Sequence, residues 1–263
     1  MTNRTRRQMG DAGVSESIGF LLIFAMVITG IGLVTLYGYP MLLQQQTGAD
    51  EQIMEKNIIV LQNDFKSIVY KTVPYKETSL KIGGGTLFVN NHLTSGPSFQ
   101  IGDSTGAVLM PDNPTGDLRY DSTSTEDEIS LQNGAVVKRN LAAGSGSSML
   151  AEPRWFFDEQ TKTLVINVMN IGSSGPLSRE GIGRVQMKLG QTEYLRKDYS
   201  PSTETISIIY TPGPGAGHDY TKAWQNYFEN TMKMTCTTGP LTCTKSGVQV
   251  LVVKKTEVII TTL

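Results

Sequence analysis

From Ile18 to Tyr39 the chain reads IGFLLIFAMVITGIGLVTLYGY, 22 residues with nothing more polar than threonine or tyrosine. Around it, no Asp, Glu, Lys or Arg occurs between Glu16 and Asp50, a gap of 33 residues. A helix rises about 1.5 Å per residue, so roughly 20 apolar residues cross a hydrocarbon core of about 30 Å. The run therefore predicts a transmembrane helix over 18–39. A core helix of a soluble domain would be shorter and would carry polar residues at helical spacing. Gly19, Gly30, Gly32 and Gly38 suit lipid, where small residues let helices approach. Tyr37 and Tyr39 sit at the far end, where amphipathic rings favour the interface. A cleaved secretory signal would have a shorter apolar region ending in a small-x-small site. This run ends in Tyr-Gly-Tyr-Pro-Met-Leu-Leu instead.

Past the run the pattern changes twice. Met54, Ile58, Leu61, Phe65 and Ile68 follow 4-3-4-3 spacing, one apolar helical face, while Glu51, Glu55, Lys56, Gln62 and Lys66 take the other. The stripe is either a coiled-coil or helix-bundle seam between subunits, for which little more than two heptads is short, or it packs against the chain's own β domain, the commoner fate of such a face. Pro40 and Gly48 are candidate kinks, and Pro74 ends the helix near Val73. From Leu80 the pattern turns to short β-prone runs separated by Gly, Pro, Asn and Ser. Strands are predicted at Thr86–Val89, Val108–Met110, Ala135–Lys138, Leu164–Met169, Val185–Leu189, Ile206–Tyr210 and Val248–Val253 with Val258–Thr262. That spacing argues for an antiparallel sandwich or a pair of sheets. One short helix interrupts them, with Asp219 as N-cap and Tyr220, Ala223, Trp224, Tyr227, Phe228 and Met232 on its apolar face. Gly144–Ser148 reads as a flexible connection and 212–217 (PGPGAG) as a surface loop.

Charge adds orientation. The 263 residues carry 23 Lys+Arg against 24 Asp+Glu, a net of −1, which excludes a strongly basic nucleic-acid binder. Arg4, Arg6 and Arg7 precede the span, and the next basic residue after it is Lys56. The positive-inside rule then puts the N-terminus in the cytoplasm and the remainder outside. The expected organisation is α+β: a basic cytoplasmic leader (1–17), a transmembrane helix (18–39), a helical stalk (40–73) and an extracytoplasmic β-rich domain (80–263). Outside the membrane, the two cysteines, Cys236 and Cys243, favour a disulfide closing a small loop over metal or redox chemistry.

The segment Asp11-Ala-Gly-Val-Ser-Glu-Ser-Ile-Gly-Phe20 resembles the class III signal of archaeal type IV pilin-like proteins, in which a short basic leader ends in a small residue before a V-S-x-x-I-G start. The resemblance implies cleavage after Gly13 by a prepilin-type peptidase, with Val14 as the mature N-terminus. Glu16 stands where the usual pattern has proline. It either pairs with a neighbouring subunit's terminal amine or simply marks the water boundary. Further along, Asn63-Asp64-Phe65, Gly134-Ala135-Val136, the Trp224/Tyr227/Phe228 helix and the late Cys pair are similar to an uncharacterised archaeal family of pilin-like anchored proteins beginning V-S-E-x-x-G-F. That family has no established activity.

Motifs for chemistry are missing. Gly83-Gly84-Gly85 lacks the Lys-Ser/Thr of a phosphate loop, Gly181-Ile-Gly183 is half a dinucleotide motif, and neither G-x-S-x-G nor H-E-x-x-H occurs. His92 and His218 read as surface polar residues. Asp117, Asp121, Glu126, Asp127 and Glu128 lack the spacing of a calcium loop and read as a solvated loop. Asn3-Arg4-Thr5, the one glycosylation sequon, lies on the cytoplasmic side. No enzyme activity, cofactor or metal is expected. The expectation is a pilin-like envelope protein, a minor or accessory subunit whose partners are the membrane, other pilin-like subunits and the peptidase. The rival is a monomeric membrane-tethered binding module, and a weaker one an extracytoplasmic enzyme.

Overall fold

The computed structural model describes residues 11–123, 125–140, 146–214 and 218–263, with backbone only for 11–16. The leader arginines, Asn3, Gly144 and Ser145, and residues 215–217 lie outside the described residues, as do the side chains of Val14 and Glu16. The chain divides at Ala49–Asp50 into two compact units.

The first unit is helical. Helix α1 (Asp11–Leu33) passes through a π turn (Val34–Gly38) into α2 (Tyr39–Lys71), whose residues from Asp50 onward belong to the second unit. In the π turn the Tyr39 N–H donates to the Val34 carbonyl, one residue beyond the α-helical partner. The next residue is Pro40, which has no N–H and whose ring would crowd the Leu36 carbonyl. The expected irregularity therefore falls just before Pro40, and the helix runs through Gly48 unbroken. It stops at Lys71, three residues before Pro74, with Thr72 in the left-handed region at φ 52°.

The second unit carries fourteen strands among the described residues. They are β1 (Tyr75–Asn90), β2 (Ser98–Asp103), β3 (Val108–Met110), β4 (Asp117–Ser122), β5 (Asp127–Gln132), β6 (Ala135–Asn140) and β7 (Ser147–Ala151). There follow β8 (Phe156–Asp158), β9 (Thr163–Ser173), β10 (Leu177–Asp198), β11 (Glu204–Thr211), β12 (Thr235–Thr237), β13 (Leu241–Val248) and β14 (Val250–Thr262). Helix α3 (Thr221–Asn230) lies between β11 and β12. One sheet has the order β7-β6-β5-β4-β1-β10-β14-β9-β8 and the other β12-β13-β11-β2-β3. Every predicted strand is present, the last of them split by a turn between Val248 and Val250. Pairing is antiparallel except for β9 with β14, which run parallel because the C-terminal strand inserts between β9 and β10. The Gly144–Ser148 connection divides nothing, since β6 and β7 on either side of it are neighbours in one sheet.

The glycine run 83–85 is a bulge. Register between β1 and β10 slips between Ile82 and Leu87, and a Cβ on Gly85 would lie 2.2 Å from the Asp121 carbonyl oxygen. Tyr120 closes the spot by donating its hydroxyl to the Gly83 carbonyl at 2.6 Å.

Two cores hold the domain. Met54, Ile58, Leu61, Phe65 and Ile68 of α2 are fully buried against one face of the large sheet, on Leu87, Leu118, Ile129, Leu131, Val185 and Ile260 among others. Each such side chain contributes about 1.5–3 kcal/mol of gross burial. The 4-3-4-3 stripe is thus spent on the chain's own sheet. The other face of that sheet meets the small sheet and α3 around Phe99, Trp155, Tyr210, Trp224, Tyr227 and Phe228. Their rings sit edge-on or tilted, with the Phe99 and Trp224 centroids 4.7 Å apart. The helix starts two residues after the expected cap. Tyr220 holds the N-cap position, and Asp219 acts from one residue earlier by accepting the Thr221 N–H at 2.8 Å.

Candidate functional site

Three features emerge, each in a different place. The first is the apolar helix, the single helix among the described residues long and apolar enough to cross a membrane. Its large side chains are exposed all round, from Ile18 and Phe20 through Met26 and Ile31 to Leu36 and Tyr37. A helix apolar on every side has no aqueous face. Its two buried-in-sequence hydroxyls are satisfied internally: Thr29 donates to the Ala25 carbonyl at 2.7 Å and Thr35 to the Ile31 carbonyl at 2.8 Å. No water is then needed along the span. Gly13, Val14 and Glu16 lie on the backbone of α1, and the side chains of Val14 and Glu16 are outside the described residues.

The second is the disulfide. Cys236 on β12 and Cys243 on β13 are directly opposed in the ladder and bonded, with Cα atoms 4.1 Å apart. Cys243 is fully buried in the aromatic core. The bond ties a three-residue edge strand to the sheet.

The third was not visible in the sequence as a site. Asp117, Arg119 and Asp121 alternate along β4, and Glu128, Ser130 and Gln132 along β5, so all six project from the face opposite Leu118, Tyr120, Ile129 and Leu131. Alternation of this kind normally marks a solvated face. Here Asp117, Glu128, Ser130 and Gln132 are buried. The cover comes from the loops leading into β2 and into α3, which supply Gly96, Pro97, Pro214, His218 and Tyr220. The loops fit because Gly116 (φ 67°) presses its backbone onto Gly96: a Cβ on Gly96 would lie 2.7 Å from the Gly116 Cα.

Within this region the carboxylates are held by neighbours. Asn90 Nδ2 donates to Asp117 Oδ1 at 2.7 Å, and Ser130 Oγ to Asp117 Oδ2 at 2.6 Å. The Tyr220 hydroxyl donates to Glu128 Oε2 at 3.3 Å. His218 Nδ1 stands 3.1 Å from Glu128 Oε1, and Arg119 Nε 3.1 Å from Asp121 Oδ1. Both are ion-pair distances without the alignment of a hydrogen bond. The Arg119 guanidinium also lies over the Phe88 ring, 4.3 Å from its centroid. Burial pushes the Asp121 carboxyl up, against the pull of Arg119. Burial, then the Glu128 charge, holds the Tyr220 hydroxyl far above its usual range. A cavity of about 80 Å³ remains beside Asp117, Arg119, Gln132, His218 and Tyr220.

The expectation of a solvated acidic loop is therefore corrected. Asp127 and Glu128 are adjacent, yet a strand sends them to opposite faces. Glu128 goes to the side of Tyr220 and His218, and Asp127 to Lys138, which also binds Glu55 at 2.8 Å and Glu51. The acidic set is split, and among the described residues no group of three or more His, Cys, Asp or Glu is arranged to hold a metal ion. The histidines are not plain surface residues either. His92 Nδ1 lies 3.2 Å from the Ile171 carbonyl, and its Nε2 3.7 Å from Glu257 beside a second polar cavity.

Fold and site define a class: a helix able to cross a membrane, followed by a disulfide-bonded β domain with a polar cavity. The chain belongs to the Family of unknown function (DUF7289), whose model matches residues 13–262. No curated protein and no solved structure matches it.

Proposed function

We propose that this is a cell-envelope protein held in the membrane by the helix over 18–39, with its N-terminus in the cytoplasm and its β domain outside. The observation that carries the reading is a helix whose apolar side chains are exposed on every side over a full membrane thickness. The arginines before the span support the orientation. So does the Cys236–Cys243 bond, which belongs to an oxidising compartment.

Within that reading the chain is pilin-like, a minor or accessory subunit of a type IV pilus-like assembly, cut after Gly13 by a prepilin-type peptidase. Neighbouring subunits would meet through the apolar helix around Gly30 and Gly32, because the α2 stripe is occupied by the chain's own sheet. The part played is mechanical, without catalysis, and needs neither cofactor nor nucleic acid. N-terminal sequencing of the native protein tests it. The expected first residue is Val14, and an intact leader would remove the pilin reading while leaving the anchor. A second reading, a monomeric tethered binding module, is favoured by the polar cavity alone.

A further inference from the structure

Buried polar atoms without partners are rare enough in folded proteins that each asks for a reason. Four of those in this domain belong to residues lining one cavity: Arg119 Nε, His218 Nδ1, and both Nε2 and Oε1 of Gln132. Gln132 is the telling one. It is fully buried, faces the cavity and has neither its donor nor its acceptor hydrogen-bonded. Tyr210 is near enough that the amide slightly offsets the strong upward push of burial on its hydroxyl, but no aligned bond joins them. Leaving such a group unsatisfied destabilises the fold, whereas a leucine of similar shape would cost little.

We propose that this cavity recognises a neutral hydroxyl-bearing ligand, the ring hydroxyls of a saccharide residue. The inference holds whether or not the chain assembles. Charge argues against the alternatives. Asp117 on the lining repels an anion, and Arg119, also on the lining, already faces Asp121. An ammonium would need a carboxylate oxygen of its own, but both oxygens of Asp117 already accept hydrogen bonds from the protein. What is uncommitted is a carboxamide, donor and acceptor side by side. Vicinal hydroxyls, each both donor and acceptor, match that pair. Pro97, Pro214 and the Tyr220 ring supply apolar surface for the C–H face of a sugar. The free volume, about 80 Å³, holds roughly two or three waters at about 30 Å³ each, whose places the hydroxyls on one edge of a pyranose can take.

The test is saturation-transfer NMR on the full chain in micelles of a detergent without a sugar headgroup. Glucose, mannose, galactose and N-acetylglucosamine are offered singly at millimolar concentration, with acetate and methylammonium as charged controls. Transfer to at least one sugar, exceeding that to either control, is expected. Gln132→Leu should weaken it by roughly tenfold or more without lowering the melting temperature. His218→Ala, a change at the rim, should weaken it too and guards against a folding defect in the first variant. Silence from all four sugars would mean that the orphan groups bind water only, and would overturn the proposal. So would transfer undiminished in both variants, or a charged control bound more tightly than any sugar.

Discussion

At the residue scale, the clearest electrostatic consequence lies around Lys138. Three carboxylates, Glu51, Glu55 and Asp127, surround this one partly buried ammonium. Burial pulls Lys138 down, but the hydrogen bonds it donates to Glu51 and Glu55, with the Asp127 charge, outweigh it, so its affinity for the proton rises. Glu51 is the odd member. Burial, then a hydrogen bond shared with Asp127, lifts its carboxyl above 4.5 despite Lys138. A carboxyl raised on folding binds its proton more tightly in the native state. Its contribution is full below the unfolded value and is lost as pH rises through the folded one. Glu51→Gln should therefore flatten the fall in stability that begins just above pH 4.5. Urea midpoints measured in steps from pH 4 to 7 check this, and parallel curves for the two proteins would refute it. The adjacent pair Asp127 and Glu128 shows why these partnerships were not legible in the sequence. The strand assignment alone sends them to opposite faces, but which faces are covered depends on loops distant in the chain.

At the scale of elements, patterns with a strong local period were read correctly. The 4-3-4-3 stripe predicted a one-faced helix, and α2 buries that stripe completely. Strands with β-branched runs were located, while lengths were underestimated: β10 continues for 22 residues, from Leu177 to Asp198, much of it exposed. Its polar stretches carry no periodic signal, and it is the pairing with β1 and β14 that keeps them extended. Edge strand β12, only three residues long, depends on its disulfide. Closing a loop of about eight residues is worth roughly 2–3 kcal/mol. The double variant Cys236→Ser/Cys243→Ser should melt about 4–12 °C lower than the oxidised protein. Thiol titration of the unfolded, unreduced wild type should find no free cysteine; two thiols would sink the bond.

For the whole molecule, the net charge of −1 is a sum over two unlike parts. Before Asp50 there are three arginines against Asp11 and Glu16; from Asp50 onward the charges number 20 basic and 22 acidic. The charge-free stretch between is what the anchor reading rests on, and it is open to a direct challenge. An arginine at the centre of a membrane helix costs about 2.5–3.5 kcal/mol, so Ile28→Arg should shift protein from the alkali-resistant membrane fraction into the supernatant. Wild-type protein already released by alkaline carbonate would end the anchor reading.

What the sequence determined by itself were the features written in consecutive residues: the 22-residue apolar span, the helical stripe, the strand-prone runs and the spacing of the cysteines. Each of these follows from a local period or length, which a single segment carries whole. Tertiary structure alone decided that the stripe lies on the chain's own sheet, that β14 enters parallel to β9, and that Asp117, Arg119 and Gln132, on two neighbouring strands, line a cavity. The reason is physical. Burial of a strand's polar face depends on what covers it, and here the cover is built from loops around positions 96 and 214, more than a hundred residues apart.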